Sequence, residues 1–177
     1  MSKKSGKKVL LLIASEAFDD RQLQALQEAM EKIGLSCDVA STVSQKAKGL
    51  HGITVDPDLI VDDVDPEKYD GVVLIGGHGS SQFWHDVYAH QIVRHIHQKG
   101  GLLAAVDRAP VVLGVAGVLK DRRATGSVSI FEKMAIYSRE FTGKPVEVDG
   151  NIITAMGNNS LDLFVDAVVS WFARSNP

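Results

Sequence analysis

Leu102-Leu103-Ala104-Ala105-Val106-Asp107-Arg108-Ala109-Pro110 decides how this chain is read. Five apolar residues stop on a charged pair, and Pro110 opens a second apolar run suited to a helix. Proline fits the first helical position, where no N–H is needed. In an open α/β sheet, ligands bind just beyond the carboxyl ends of the strands. The residue at such a tip is the first candidate for chemistry, and here it is Asp107.

Working outward, Val9 to Ala14 (VLLLIA) and Gly71 to Ile75 (GVVLI) are also continuous apolar runs, typical of parallel strands buried on both faces. Ser36 to Ser41 (SCDVAS) predicts a further strand. Helices fall between them. Leu23, Leu26, Met30 and Ile33 share one face, with Asp19 or Asp20 as N-cap and Gly34 at the end. Asp86 to Lys99 places Tyr88, Ala89, Ile92, Val93 and Ile96 inward, and Gly100 closes it. The elbow helix is expected over Pro110 to Val118, and a last helix over Ser160 to Phe172, with Leu161, Phe164, Val165, Val168 and Phe172 inward. Asn159 or Ser160 would cap that last helix.

The remaining segments are shorter. Lys46 to Asp65 is broken by Gly49, Gly52 and Pro57 and predicts a small antiparallel ribbon or an edge excursion. Asp65-Pro66-Glu67 starts a single helical turn. Lys120 to Gly126 reads as a polar loop and Phe131 to Tyr137 as a further helical turn. Asp149-Gly150, between Val146–Val148 and Ile152–Ala155, is a hairpin signal. Strands alternating with helices imply a doubly wound, mostly parallel sheet covered on both faces.

Composition sets the outer limits. The 177 residues are 45% hydrophobic and 23% charged, values ordinary for a globular protein. A net charge of −3 gives no basic field for nucleic acid, and no apolar run is long enough to span a membrane. Residues 1–8 carry four lysines and are expected to form a basic, flexible tail; residues 9–177 are expected to form one domain. The apolar run after the tail is too short for a signal-peptide core. A lone Cys37 excludes an internal disulfide, suits a reducing cytoplasm and reads as a small buried hydrophobe.

Three blocks together resemble the PfpI/ThiJ family of the class I glutamine amidotransferase-like superfamily. They are Phe18-Asp19-Asp20-Arg21-Gln22-Leu23, Val72-Val73-Leu74-Ile75-Gly76-Gly77, and Ala105-Val106-Asp107-Arg108-Ala109-Pro110 with Ala116-Gly117-Val118-Leu119 downstream. Lys48 to Val55 and Asp149 to Thr154 have counterparts as well. The resemblance implies a flavodoxin-like three-layer α/β/α sandwich and a homodimer or higher homo-oligomer. The family includes peptidases, glyoxalase- and deglycase-like proteins and small chaperones, some linked to stress. Its usual site has a cysteine at the elbow, hydrogen-bonded by a carboxylate from the first block and assisted by a histidine. Here the cysteine position is Asp107, the following residue is Arg108, and the carboxylate position is Asp19. The later histidine position falls near Gly126 or Ser127, and Ile75 stands where the family has proline. With no thiol to ionise, thiolate chemistry at the elbow is excluded.

Three readings of Asp107 stand open. It is the anion of a carboxylate–arginine cluster in an inactive site, with Arg108 paired to it or to Asp19. It shares a proton donated by Asp19, as a permanent mimic of an oxidised cysteine. Or it acts as nucleophile or general base in a hydrolase or lyase acting on a small polar substrate, with N–H groups around Gly77 and Arg108 as oxyanion donors. Asp107, Asp19 and Arg108 are thus the catalytic candidates, and Gly76, Gly77 and His78 the ligand-binding ones. No nucleotide fingerprint occurs, and no cofactor is implied. The spacing of His78, His85, His90, His95 and His97 fits no zinc pattern, so no metal is expected. Lys120, Arg122 and Arg123 form a basic loop that either is solvated or draws an anion. Phe83-Trp84 would line the pocket mouth or a subunit contact.

Overall fold

The computed structural model describes residues 6–175. In chain order the strands and helices are β1 (Lys8–Leu12), β2 (Glu16–Phe18), α1 (Asp20–Lys32), β3 (Ser36–Ser41), β4 (Ala47–Gly49), β5 (Thr54–Val55), β6 (Leu59–Ile60) and β7 (Gly71–Leu74). There follow α2 (Val87–Gln98), β8 (Leu102–Val106), α3 (Pro110–Val115), β9 (Arg123–Ala124), α4 (Phe131–Tyr137), β10 (Glu140–Phe141), β11 (Val146–Asp149), β12 (Ile152–Ala155) and α5 (Leu161–Arg174).

Seven strands form the central sheet in the order β11-β12-β8-β7-β1-β3-β6. All neighbours pair in parallel except β11 with β12, the Asp149-Gly150 hairpin. Every residue of β7, β8 and β12 is buried, and the one polar side chain among them, Thr154, accepts from Thr125 N–H at 2.9 Å. Helices α1 and α5 pack together, as do α2 and α3, which covers the sheet with a helical layer on each side. This is the flavodoxin-like α/β/α sandwich. Phe18, Phe164 and Phe172 are the bulkiest fully buried side chains of its core.

The topology fixes where a site can form. From β1 the chain first moves to β3 and β6, then returns to β7 on the other side of β1 and continues to β8 and β12. The strand order therefore reverses between β1 and β7. At such a switch point the loops leaving the carboxyl ends part and leave a crevice. Asp19, Gly76-Gly77 and Asp107 all lie in chain segments that follow these ends.

Several expectations are corrected. Between β1 and α1, where no strand was expected, β2 joins β4 and β5 in a separate three-stranded sheet. The loop Lys120 to Gly126 contains β9, which pairs with β10. Strands of two or three residues are too short to show a period, which is why the sequence hides them. The elbow helix ends at Val115, and Gly117 at φ 88° follows its cap. Tyr88 faces outward, 43% exposed, instead of inward with Ala89, Ile92, Val93 and Ile96. Residues 1–5 of the expected tail lie outside the described residues. Lys7 and Lys8 are tied to the fold: Lys7 Nζ donates to the Ser175 carbonyl at 2.8 Å, and Lys8 Nζ meets Asp38 at 2.6 Å.

Candidate functional site at the strand–helix elbow

Asp107 sits at φ 62°, a left-handed conformation uncommon for a residue with a side chain. The turn demands it. The Asp107 N–H donates to the Ala155 carbonyl at 3.0 Å, extending the β8–β12 ladder, while its own carbonyl accepts from Ser127 N–H at 2.7 Å. Pro110 then starts α3 only three residues later. A chain that ends a parallel strand and begins a helix this abruptly lifts the tip side chain over the sheet end.

The carboxylate of Asp107 is received by the neighbouring loop. Gly77 N–H donates to Asp107 Oδ2 at 2.9 Å. Gly76 and Gly77 bring the backbone this near because neither carries a Cβ. One on Gly76 would lie 2.7 Å from Asp107 Cβ, and one on Gly77 2.4 Å from the Ala17 carbonyl oxygen. Gly77 also holds φ 97°. Burial pushes the Asp107 carboxyl above its ordinary pKa. The Gly77 N–H, the Arg108 cation and the Arg108 N–H pull the other way, and the Asp19 charge adds a small push upward.

Asp19 serves a different purpose. It is the N-cap of α1: its Oδ1 accepts from Arg21 N–H at 3.1 Å and Gln22 N–H at 3.3 Å. Its Oδ2 accepts from Asn158 Nδ2 at 2.7 Å. The carboxylate is buried and met by three N–H donors. Among the described residues Asp19 and Asp107 share no hydrogen bond, so the proton-sharing geometry is not formed. Gln22, also buried, joins the loops: its Oε1 accepts from Gly76 N–H at 2.8 Å and its Nε2 donates to Asn158 at 3.1 Å.

Arg108 does not form the expected cluster. Among the described residues it makes no ion pair; its Nη1 lies 3.4 Å from Nδ1 of the exposed His78, and its Nε is 3.4 Å from Ser129 Oγ. The reason lies in the turn, which puts consecutive side chains on different sides. The Arg108 carbonyl accepts from Trp84 Nε1 at 3.0 Å, while Phe83 is buried in the core. Trp84 thus braces the elbow.

The glycine loop offers fewer donors than expected, since the N–H groups of Gly76 and Gly77 are both engaged within the protein. The basic loop is partly neutralised: Arg122 pairs with Asp149 at 3.1 Å and Arg123 with Glu147 at 3.6 Å. Beside the elbow a cavity of about 490 Å³ is lined by Ser127, Val128, Pro145, Met156, Gly157 and Asn158, among others. Gly157 borders both places, since a Cβ there would come 3.9 Å from Asp107 Oδ1. Cys37 is remote from the elbow, and burial pushes its thiol up to about 11, which leaves it protonated.

One cluster was not foreseen. Asp19, Asp20 and His51 each place a ligand-type atom within 4.8 Å of the others. Asp20 was read only as an alternative helix cap, and His51 was not singled out. Gln22 and Asn158 were likewise missed as parts of the site. Only their tertiary partners reveal them, since nothing in their local spacing does.

The family model for the DJ-1/PfpI family matches residues 7–170. The chain belongs to the DJ-1/PfpI family. It is 31% identical to an uncharacterized protein of Methanocaldococcus jannaschii over 96% of this chain and 84% of that one. It is 32% identical to a protein of Thermococcus kodakarensis named a deglycase, over 82% of this chain and 88% of that one. Among solved structures, a ThiJ/PfpI domain protein from Brachyspira murdochii superposes with a TM-score of 0.91 at 24% identity, covering 97% of this chain and 99% of that one. That likeness confirms the fold. No helix among the described residues of this DJ-1/PfpI chain is long and apolar enough to cross a membrane.

Proposed function

We propose that this DJ-1/PfpI protein is a non-catalytic member of its family, a cytoplasmic ligand-binding protein of chaperone-like or stress-related type that works as a homo-oligomer. One observation carries the reading. The Gly77 N–H, a donor suited to an oxyanion on a substrate, is given to the carboxylate of Asp107 itself. Asp107 is then a fixed internal anion, and oxidation cannot alter it as it alters a cysteine. The ligand of this reading is small and polar, and the cavity beside Gly157, with Ser127 and Asn158 on its wall, is where it binds.

The alternative is a hydrolase or lyase, related to the deglycases among the relatives, that uses Asp107 as general base. The upward shift of the Asp107 carboxyl favours it, because a base works best with a pKa nearer neutrality. The test compares wild type with Asp107→Asn on glycated amines, small dicarbonyls, esters and peptides. Equal, background-level rates are expected. Turnover by the wild type that falls about a hundredfold in the variant would establish the enzyme instead.

A further inference from the structure

We propose that Asp19, Asp20 and His51 form a binding site for one divalent transition-metal ion of borderline hardness, with zinc as the best fit. The proposal starts from an unexplained atom. Asp20 is fully buried, and its Oδ1 has no hydrogen-bond partner. A buried carboxylate oxygen without a partner is an expensive arrangement that folded proteins generally avoid. Its role as a loop fastener does not account for it, because that role uses only Oδ2, which accepts from His51 N–H at 3.0 Å and Ile53 N–H at 3.2 Å.

What Oδ1 faces is a second ligand-type atom. His51 Nε2 lies 3.9 Å from the unpartnered Asp20 Oδ1 and 4.0 Å from Asp19 Oδ1, the oxygen that also accepts from the Arg21 and Gln22 N–H groups. These separations are too long for hydrogen bonds. They are close to what a shared ion requires: two ligands about 2.1 Å from a tetrahedral zinc stand roughly 3.4 Å apart. The imidazole supplies the needed movement, since the His51 side chain is 41% exposed while both carboxylates are held in place.

The surroundings are built for such an ion. Asn158 Nδ2 fixes Asp19 through Oδ2, the outer-shell contact that orients a metal-bound carboxylate. The backbone of the loop carrying His51 is pinned to Asp20 by the two N–H bonds at its Oδ2. Gly49 permits this close packing, since a Cβ there would meet Asp20 Oδ2 at 2.4 Å. Two carboxylate oxygens and one imidazole nitrogen suit zinc or manganese, and water from the exposed side of His51 completes the shell. None of this depends on whether Asp107 is catalytic.

The test uses the full chain after treatment with a chelator. Zinc is titrated by calorimetry and cobalt(II) by its visible absorption, for wild type, His51→Gln and His95→Gln. The wild type is expected to bind one zinc with a rise in Tm, and His51→Gln to bind at least tenfold more weakly and lose the cobalt spectrum. His95→Gln should match the wild type. Because His51 is exposed, its variant should fold, which a far-UV spectrum checks. No saturable binding by the wild type, or equal binding by His51→Gln, would overturn the proposal; the second result would place the ion on other surface histidines.

Discussion

Gly77 N–H and Asp107 Oδ2, from the loop after β7 and the tip after β8, are joined at 2.9 Å. The bond spends the Gly77 donor on a side chain of the protein itself. It also sets the electrostatics of the elbow, where burial pushes the Asp107 carboxyl up and this N–H is the strongest influence holding it down.

Asp107→Asn therefore has a pH signature. A carboxyl whose pKa is raised by folding binds a proton more tightly in the native state than in the unfolded chain. Its favourable contribution is complete below the unfolded value of about 3.9 and is lost as pH rises through the folded value. Asparagine does not titrate and still offers Gly77 an oxygen acceptor. The Tm of the variant minus that of wild type should grow from pH 3 towards neutrality and then level off. Thermal melts across that range check it, and a difference that shrinks with rising pH would contradict the raised carboxyl.

Asp19→Ala removes both an N-cap and the partner of Asn158. Losing the cap alone costs about 1–2 kcal/mol, and leaving the Asn158 amide without its acceptor adds to that. Asp19→Asn, which retains an acceptor oxygen, should lose less. Urea unfolding of the two variants separates a capping role from a purely ionic one, for which both would lose the same.

Gly79→Ala should be among the most damaging single substitutions outside the core strands. A Cβ at this position would lie 1.7 Å from the Glu16 carbonyl oxygen, a backbone atom that cannot move without displacing β2. A loss of about 3 kcal/mol or more is expected, since overpacking against backbone exceeds the usual range for core insertions. Denaturation midpoints measure this directly.

Strands β1, β7 and β8 were legible because Val9–Leu12, Gly71–Leu74 and Leu102–Val106 are unbroken apolar runs, and α1, α2 and α5 because their apolar residues recur at helical spacing. The prominence of Asp107 was equally plain from one charge at the end of Leu102–Val106. Its partners were not. Nothing local indicates that Arg108 turns towards His78, or that Asp19 both caps α1 and meets Asn158. Those choices follow from the direction of side chains at a sharp turn and from contacts across more than a hundred residues. The short β9 and β10 stayed hidden for a related reason, since two residues exist as a strand only through a partner.

Asn158 reaches back 139 residues in sequence to Asp19, and Gln22 reaches forward 136 to Asn158. A chain emerging from synthesis therefore carries an incomplete elbow until the segment beyond its last strand has been made and has docked. Contacts so distant in sequence form late, after loop closure has been overcome. A truncated or half-folded copy would hold Asp19 and Asp107 without the amide that binds the start of the fold to its end. Whatever ligand the cavity admits, it would recognise only molecules whose assembly is finished.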